Sequence, residues 1–168
     1  MKRWYVIYTQ ARGEERALWH LRNQGFHCFL PRFRTTKRHA RKTDVVLEPL
    51  FPRYIFAQFD QSKKMWRSIN GTRGVVQLLT DGTRPLAVPG EVIDTLLAGS
   101  DENGVASLTS LGVVWKGMKV HVKTGPFAGQ KGEVADVLTK GRDRVLVLLS
   151  MLGVEARVPL PSYAVETA

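Results

Sequence analysis

The stretch EPLFPRYIFAQFD, residues 48–60, constrains the fold of this chain more than any other segment. Side chains along a strand point alternately to two faces. Here both faces carry large apolar groups, with Phe51, Ile55, Ala57 and Phe59 on one and Leu50, Tyr54 and Phe56 on the other. Such a strand belongs inside a sheet that is covered on both sides, or it leaves one side for a partner. The first set suits a core beneath helices. Exposing Tyr54 and Phe56 forgoes about 1.5–3 kcal/mol of burial per ring, and an apolar patch of that kind marks an interface.

The surrounding sequence supplies the rest of a mixed layer. Residues 4–9 read as a short apolar strand, and residues 13–24 as a helix ended by Gly25, with Ala17, Leu18 and Leu21 as its apolar stripe. Arg12, Arg16, His20 and Asn23 recur at three- and four-residue steps, so they share a separate, outward face of that helix. A strand over residues 26–31 leads into RFRTTKRHARK, where Arg32, Arg34, Lys37, Arg38, Arg41 and Lys42 are too crowded to pack together and predict a solvated hairpin tip or loop. Asp60 or Ser62 can cap a short helix carrying Met65, Trp66 and Ile69. Gly71 and Gly74 bracket a turn before a strand at 75–79, and Pro89 starts a helix with Val92, Ile93, Leu96 and Leu97 as its stripe. Elements in this order predict an α+β sandwich with helices against a mainly antiparallel sheet.

Beyond residue 98 the pattern changes. GSDENGVASLTSLG, residues 99–112, is small and polar and reads as a linker. It divides the chain into domains at 1–98 and 113–168. Residues 119–123, 132–138, 144–149 and 154–159 are β-rich and joined by KTGPFAG, TKGRDR and MLGVE, a pattern that predicts a small closed barrel. Glycines in these connections would weaken a helix by about 1 kcal/mol each, so strands are the expected ground state.

The formal charge of +10 is uneven: residues 1–100 carry 17 Lys/Arg against 8 Asp/Glu, and residues 101–168 carry 8 against 7. The first domain therefore presents the surface attractive to nucleic acid or another polyanion. Cys28 is the only cysteine, which rules out an internal disulfide and a thiolate metal cluster and suits a small core residue. No run approaches the roughly 18 apolar residues of a membrane span, and the N-terminus turns polar too soon for a signal peptide, so a cytoplasmic protein without membrane contact is expected. His20, His27, His39 and His121 lack metal-ligand spacing, and GPFAGQKG lacks the ending and following helix of a phosphate loop. No catalytic constellation is present, so the expectation is a protein that is not an enzyme and needs no cofactor or metal.

GMKVHVKTGPFAGQKGEVADV, residues 117–137, resembles the KOW module, a five-stranded barrel of transcription elongation factors and some ribosomal proteins. Gly125-Pro126 would turn the chain, Phe127 plug the barrel, and Gly129 and Gly132 permit bends. In the first domain, WYVIYTQARGEERALWHL, EPLFPRYIFAQFD and SINGTRGVVQLL resemble the N-terminal domain of the NusG family, most closely its RfaH branch. The resemblance implies an NGN α/β sandwich with an antiparallel sheet, linked to a small C-terminal KOW β-barrel. It also implies a monomeric elongation and antitermination factor that reduces pausing.

The site residues follow from that resemblance. Leu50, Tyr54, Phe56, Ile93 and Leu96 match the surface that docks on the clamp helices of the largest RNA polymerase subunit. Arg16, His20, Asn70, Thr72 and Arg73 match the surface that meets the non-template DNA strand. Glu48 matches a residue that helps to hold a closed state, in which the second domain masks the clamp-helix surface. A free barrel would bind ribosomal protein S10 and couple transcription to translation. The chain departs from the RfaH pattern at Gln10, where Arg12 can substitute for an expected basic residue, and at Met65-Trp66-Arg67, where a polar triplet for the opposite polymerase pincer is replaced. A ribosome-associated RNA-binding protein that uses the barrel and the basic loop stays open as an alternative.

Overall fold

The computed structural model describes residues 1–138, 143–151 and 153–168. They form two compact units, one of residues 1–32 with 48–104 and one of residues 33–47 with 105–168. The predicted turn TKGRDR lies mostly outside the described residues, as does Leu152 of MLGVE.

In the first unit, strands β1 (Lys2–Thr9), β2 (His27–Phe29), β5 (Tyr54–Asp60) and β6 (Val75–Leu78) order as β2-β5-β1-β6, with the short β7 (Ala87–Val88) also paired to β1. All of these pairings are antiparallel. Tyr5, Ile7, Ile55, Ala57 and Phe59 point to one face, where Ala17, Leu18 and Leu21 of α1 (Glu14–Asn23) close the core. Trp66 stacks on Phe59 at 6.4 Å and donates its indole N–H to the Gln61 carbonyl, so it serves the core. It rides on a 3₁₀ segment, Lys64–Gly71, where the sequence predicted an ordinary helix. No side chain caps that segment. Asp60 instead accepts the Ser62 hydroxyl and N–H and the amino terminus, which together hold its carboxyl well below the usual range.

The opposite sheet face is also apolar. Val6 pairs with Phe56, Phe56 with Phe29, and Tyr8 with Tyr54, while α2 (Gly90–Ala98) packs on β1 with Ile93 and Leu96 buried and Val92 and Leu97 exposed. The α2 stripe is thus half core and half surface. Phe51 corrects the alternation read from sequence. It is 39% exposed and meets Phe56 edge-on at 6.1 Å, instead of lying beneath the helices. The cause is local: Tyr54 N–H closes a turn onto the Phe51 carbonyl, with Pro52 second and Arg53 third at φ 70°, the arrangement of a type II turn. β5 begins after that turn, and a period of two cannot be counted across it.

Cys28 is buried in this core as expected, and burial pushes its thiol up to about 12, against a smaller lowering effect of Arg22. Because the folded value is raised above the ordinary 9.0, the thiol's contribution to stability is complete below about pH 9 and is lost as pH rises towards 12. At pH 8 a thiol reagent should leave the native chain unlabelled and label the urea-unfolded chain fully. Rapid native labelling would contradict the burial.

The second unit contains no α-helix among its described residues. Strands β8 (Lys119–Val122), β9 (Lys131–Leu138), β10 (Arg144–Met151), β11 (Val154–Pro161) and β12 (Val165–Thr167) order as β11-β10-β9-β8-β12. One sheet face supplies the core: Val120, Val122, Val134, Val145, Val147, Leu149, Leu160 and Val165 are buried together, with Val114 and Met118. A single sheet whose inner residues cover one another is rolled around them. Part of the predicted linker belongs here, because the Asp143 carboxylate accepts the Ser107 and Thr109 hydroxyls and the Leu108 and Thr109 N–H groups, as well as the Ser162 hydroxyl. The basic segment is a two-stranded hairpin of β3 (Arg32–His39) and β4 (Lys42–Pro49), turned at Ala40 and Arg41, both at positive φ.

Candidate nucleic-acid and protein interface

The first candidate surface is built around Tyr54, which is 37% exposed at the start of β5. Its ring tilts against Tyr8 at 5.3 Å, and the Arg53 guanidinium lies 4.3 Å from the centre of the Tyr8 ring. A positive φ strains a side chain with a Cβ, and three hydrogen bonds hold Arg53 in that conformation. Its N–H donates to the buried Glu14 carboxylate at 2.8 Å, its Nε to the Thr9 carbonyl at 3.1 Å, and its carbonyl accepts the Thr9 N–H. Tyr8, Arg53 and Tyr54 form one fixed cluster with Phe51 beside it in sequence. Tyr8 and Arg53 were not singled out from the sequence; the only signal was the Pro-Arg turn before the strand.

The other residues assigned to this surface divide. Leu50 is half-buried and donates its N–H to the Pro31 carbonyl. Phe56 is only 7% exposed, and Ile93 and Leu96 are buried as well. The sheet's own second face and α2 take up these three, so they support the patch from beneath and do not stand open. Glu48, near the end of β4, is half-buried.

The second candidate surface joins α1 to the turn before β6. Gly74, at φ 87°, is where the two meet, since a Cβ there would lie 2.8 Å from the Ala17 nitrogen and 3.0 Å from the Gly13 carbonyl oxygen. The Gly74 carbonyl also accepts the Gln10 N–H at 2.8 Å. At the other end of the helix, Gln24 donates to the Thr72 hydroxyl at 2.8 Å and accepts the Ser68 hydroxyl at 2.9 Å. The turn therefore runs along α1 from Gln24 to Gly13, which sets the exposed Arg73 beside the helix that carries exposed Arg16 and half-buried His20.

Two assigned residues have structural work on this surface. Thr72 is 6% exposed and passes its own hydroxyl hydrogen to the Ser68 carbonyl, so it shapes the turn and is not open to DNA. Asn70 is exposed, but its Oδ1 accepts the Leu78 N–H at 2.7 Å, which leaves its amide N–H groups as the part that can meet a base.

Comparison with known proteins gives a consistent answer. A family model described as "NusG: Transcription termination factor nusG" matches residues 2–97. A Thermus thermophilus protein named "Transcription termination/antitermination protein NusG" is 27% identical over 173 residues, spanning 94% of each chain. A Staphylococcus aureus protein of the same name is 25% identical over 177 residues, spanning 98% of this chain and 95% of its own. These alignments run through both units. A solved structure described as "Domain interaction in Thermotoga maritima NusG" aligns over 99% of this chain and 97% of its own at 18% identity, with a TM-score of 0.43. The family model alone covers more than half of the sequence, and on that match the chain belongs to the NusG family.

Proposed function

We propose that the chain is a transcription elongation and antitermination factor, of the RfaH type within its family, which acts by binding transcribing RNA polymerase. The observation that carries this reading is the Glu14–Arg53 hydrogen bond. It ties the first turn of α1, which presents the cationic face, to the turn that presents Tyr54. One rigid unit thereby offers an aromatic contact for protein and a basic contact for nucleic acid. The aromatic cluster is assigned to the clamp helices of the largest subunit, with Leu50, Phe56, Ile93 and Leu96 as its support. Arg16, His20, Arg73 and the Asn70 amide are assigned to the non-template strand.

A factor of this kind works by differential binding, favouring polymerase conformations that continue synthesis. Residues 1–98 are the proposed NusG-like domain and 113–168 the proposed KOW barrel, free to recruit ribosomal protein S10. Glu48 is assigned to the masked state of the clamp-helix surface. The protein is proposed to act as a cytoplasmic monomer.

Recovery of the tagged chain from cell extract tests this directly. Polymerase subunits are the expected co-purifying species, whereas ribosomal RNA without polymerase would favour the rRNA-binding alternative. Arg73→Ala should weaken recruitment to elongation complexes and lower the salt dependence, since each lost single-strand phosphate contact takes about 0.7 from the logarithmic slope. An unchanged slope would reduce Arg73 to part of a turn.

A further inference from the structure

We infer that Trp19 is a stacking platform for an unpaired base of the DNA strand. This rests on the proposed DNA-binding role of α1 and adds to it a residue that contacts a base instead of a phosphate. Glu14, Ala17, Leu18 and Leu21 turn inward, so the outward line of the helix is Arg16, Trp19 and Asn23, at spacings of three and four residues. Trp19 is 62% exposed on that line. Its ring is propped by His20, with centroids 4.8 Å apart and planes at 88°. A ring held by an edge-to-face contact and still largely exposed can accept a flat partner.

The surroundings define the partner. The other exposed side chains of α1 are Glu15, Arg16, Arg22 and Asn23, so Trp19 has no apolar neighbour there with which to form a protein-binding patch. The one acid on that face, Glu15, is engaged by Arg32 at 2.7 Å. Arg16 lies one helical turn away on the side of His20, and the turn bearing Arg73 lies beyond. An aromatic ring next to cations that track a backbone is the arrangement that binds single strands through base stacking and phosphate contact. A duplex keeps its bases stacked on each other and offers this ring nothing comparable. Base–aromatic stacking holds for any base, so Trp19 raises affinity for the strand while the Asn70 amide is left to read identity.

The test uses the full chain and two fluorescein-labelled strands of equal length and phosphate number, one of mixed deoxynucleotides and one wholly abasic. Trp19→Ala should weaken binding of the base-bearing strand about 5- to 140-fold. Binding of the abasic strand and the salt slope should not change, and Trp19→Phe should retain most of the affinity. Trp19→Ala binding both strands like the parent, while Arg73→Ala weakens both, would overturn the platform and leave the DNA reading standing. A parent chain that binds neither strand would remove both.

Discussion

Gly132→Ala should strongly destabilise the second unit while leaving the first intact. Gly132 lies in β9, paired on one side with Leu149 of β10 and on the other with Val120 of β8. A Cβ there would come within 2.5 Å of the Leu148 carbonyl oxygen, 2.7 Å of Leu149 Cδ2 and 2.9 Å of Val147 Cγ1. The side-chain contacts could yield, but the carbonyl belongs to the neighbouring strand and moves only if the ladder opens. Overpacking of a core costs typically 1–3 kcal/mol, and a backbone obstacle puts this site at about 3 kcal/mol. For a unit of this size that is a fall of about 12–24 °C in melting temperature, out of a total stability that is itself only about 5–15 kcal/mol.

Gly129→Ala supplies the contrast. It has open space around it and differs only by its φ of 87°, so it should cost about 1–2 kcal/mol. Both are measured on the full chain by NMR, following resonances of each unit through a thermal ramp. Equal effects of the two substitutions would show that the close approach at Gly132 is relieved elsewhere.

Much of this organisation was legible in the sequence because it rests on periodicity. The β-rich character of residues 119–123 and 132–138, the α1 stripe of Ala17, Leu18 and Leu21, and the strand character of Ile55, Ala57 and Phe59 are all read from the sequence pattern, and Val120, Val122 and Val134 of the β-rich segments are buried together with the core that the pattern predicts. What failed did so where local geometry interrupts the period. Phe51 changes face because a turn with positive φ at Arg53 separates it from β5. Thr72 and Phe56 looked like surface residues, yet burial depends on what the rest of the chain lays over them. For Thr72 that is Gln24, 48 residues distant in sequence. Trp19 was not singled out because it belongs to neither the apolar nor the polar stripe read from spacing, and its exposure shows only in the folded helix.

The linker is the subtler case. A stretch such as SLTS carries no periodic signal, and it is attached by Leu108 packing on the second unit's core and by one distant carboxylate, Asp143, accepting its hydroxyls and N–H groups. Polar segments of this kind are placed by hydrogen bonds that depend on the fold already being formed.

Tyr54→Asp should abolish recruitment to RNA polymerase with little change in folding. Tyr54 is an exposed member of the aromatic cluster, so the substitution gives up its contact with Tyr8, about 0.5–1.5 kcal/mol for an aromatic pair, without burying a charge. Anchors of this type cost 2 kcal/mol or more when truncated, about 30-fold in affinity, and a carboxylate pressed against an apolar partner adds desolvation to that loss. Phe56 cannot serve as the same probe. It is packed between Phe29 and Phe51, and a charge there would be buried without a partner and would damage the sheet first. Phe56→Leu is the informative change, since it keeps an apolar core and removes the support under Phe51. Recruitment should then fall by less than with Tyr54→Asp, in proportion to how far the cluster loosens. The two variants are compared by co-sedimentation with assembled elongation complexes, with circular dichroism to confirm the fold. Full recruitment of a folded Tyr54→Asp chain would mean that polymerase binds elsewhere, whereas loss with Tyr54→Asp and partial retention with Phe56→Leu would establish the division between a contacting ring and the ring that holds its neighbourhood in place.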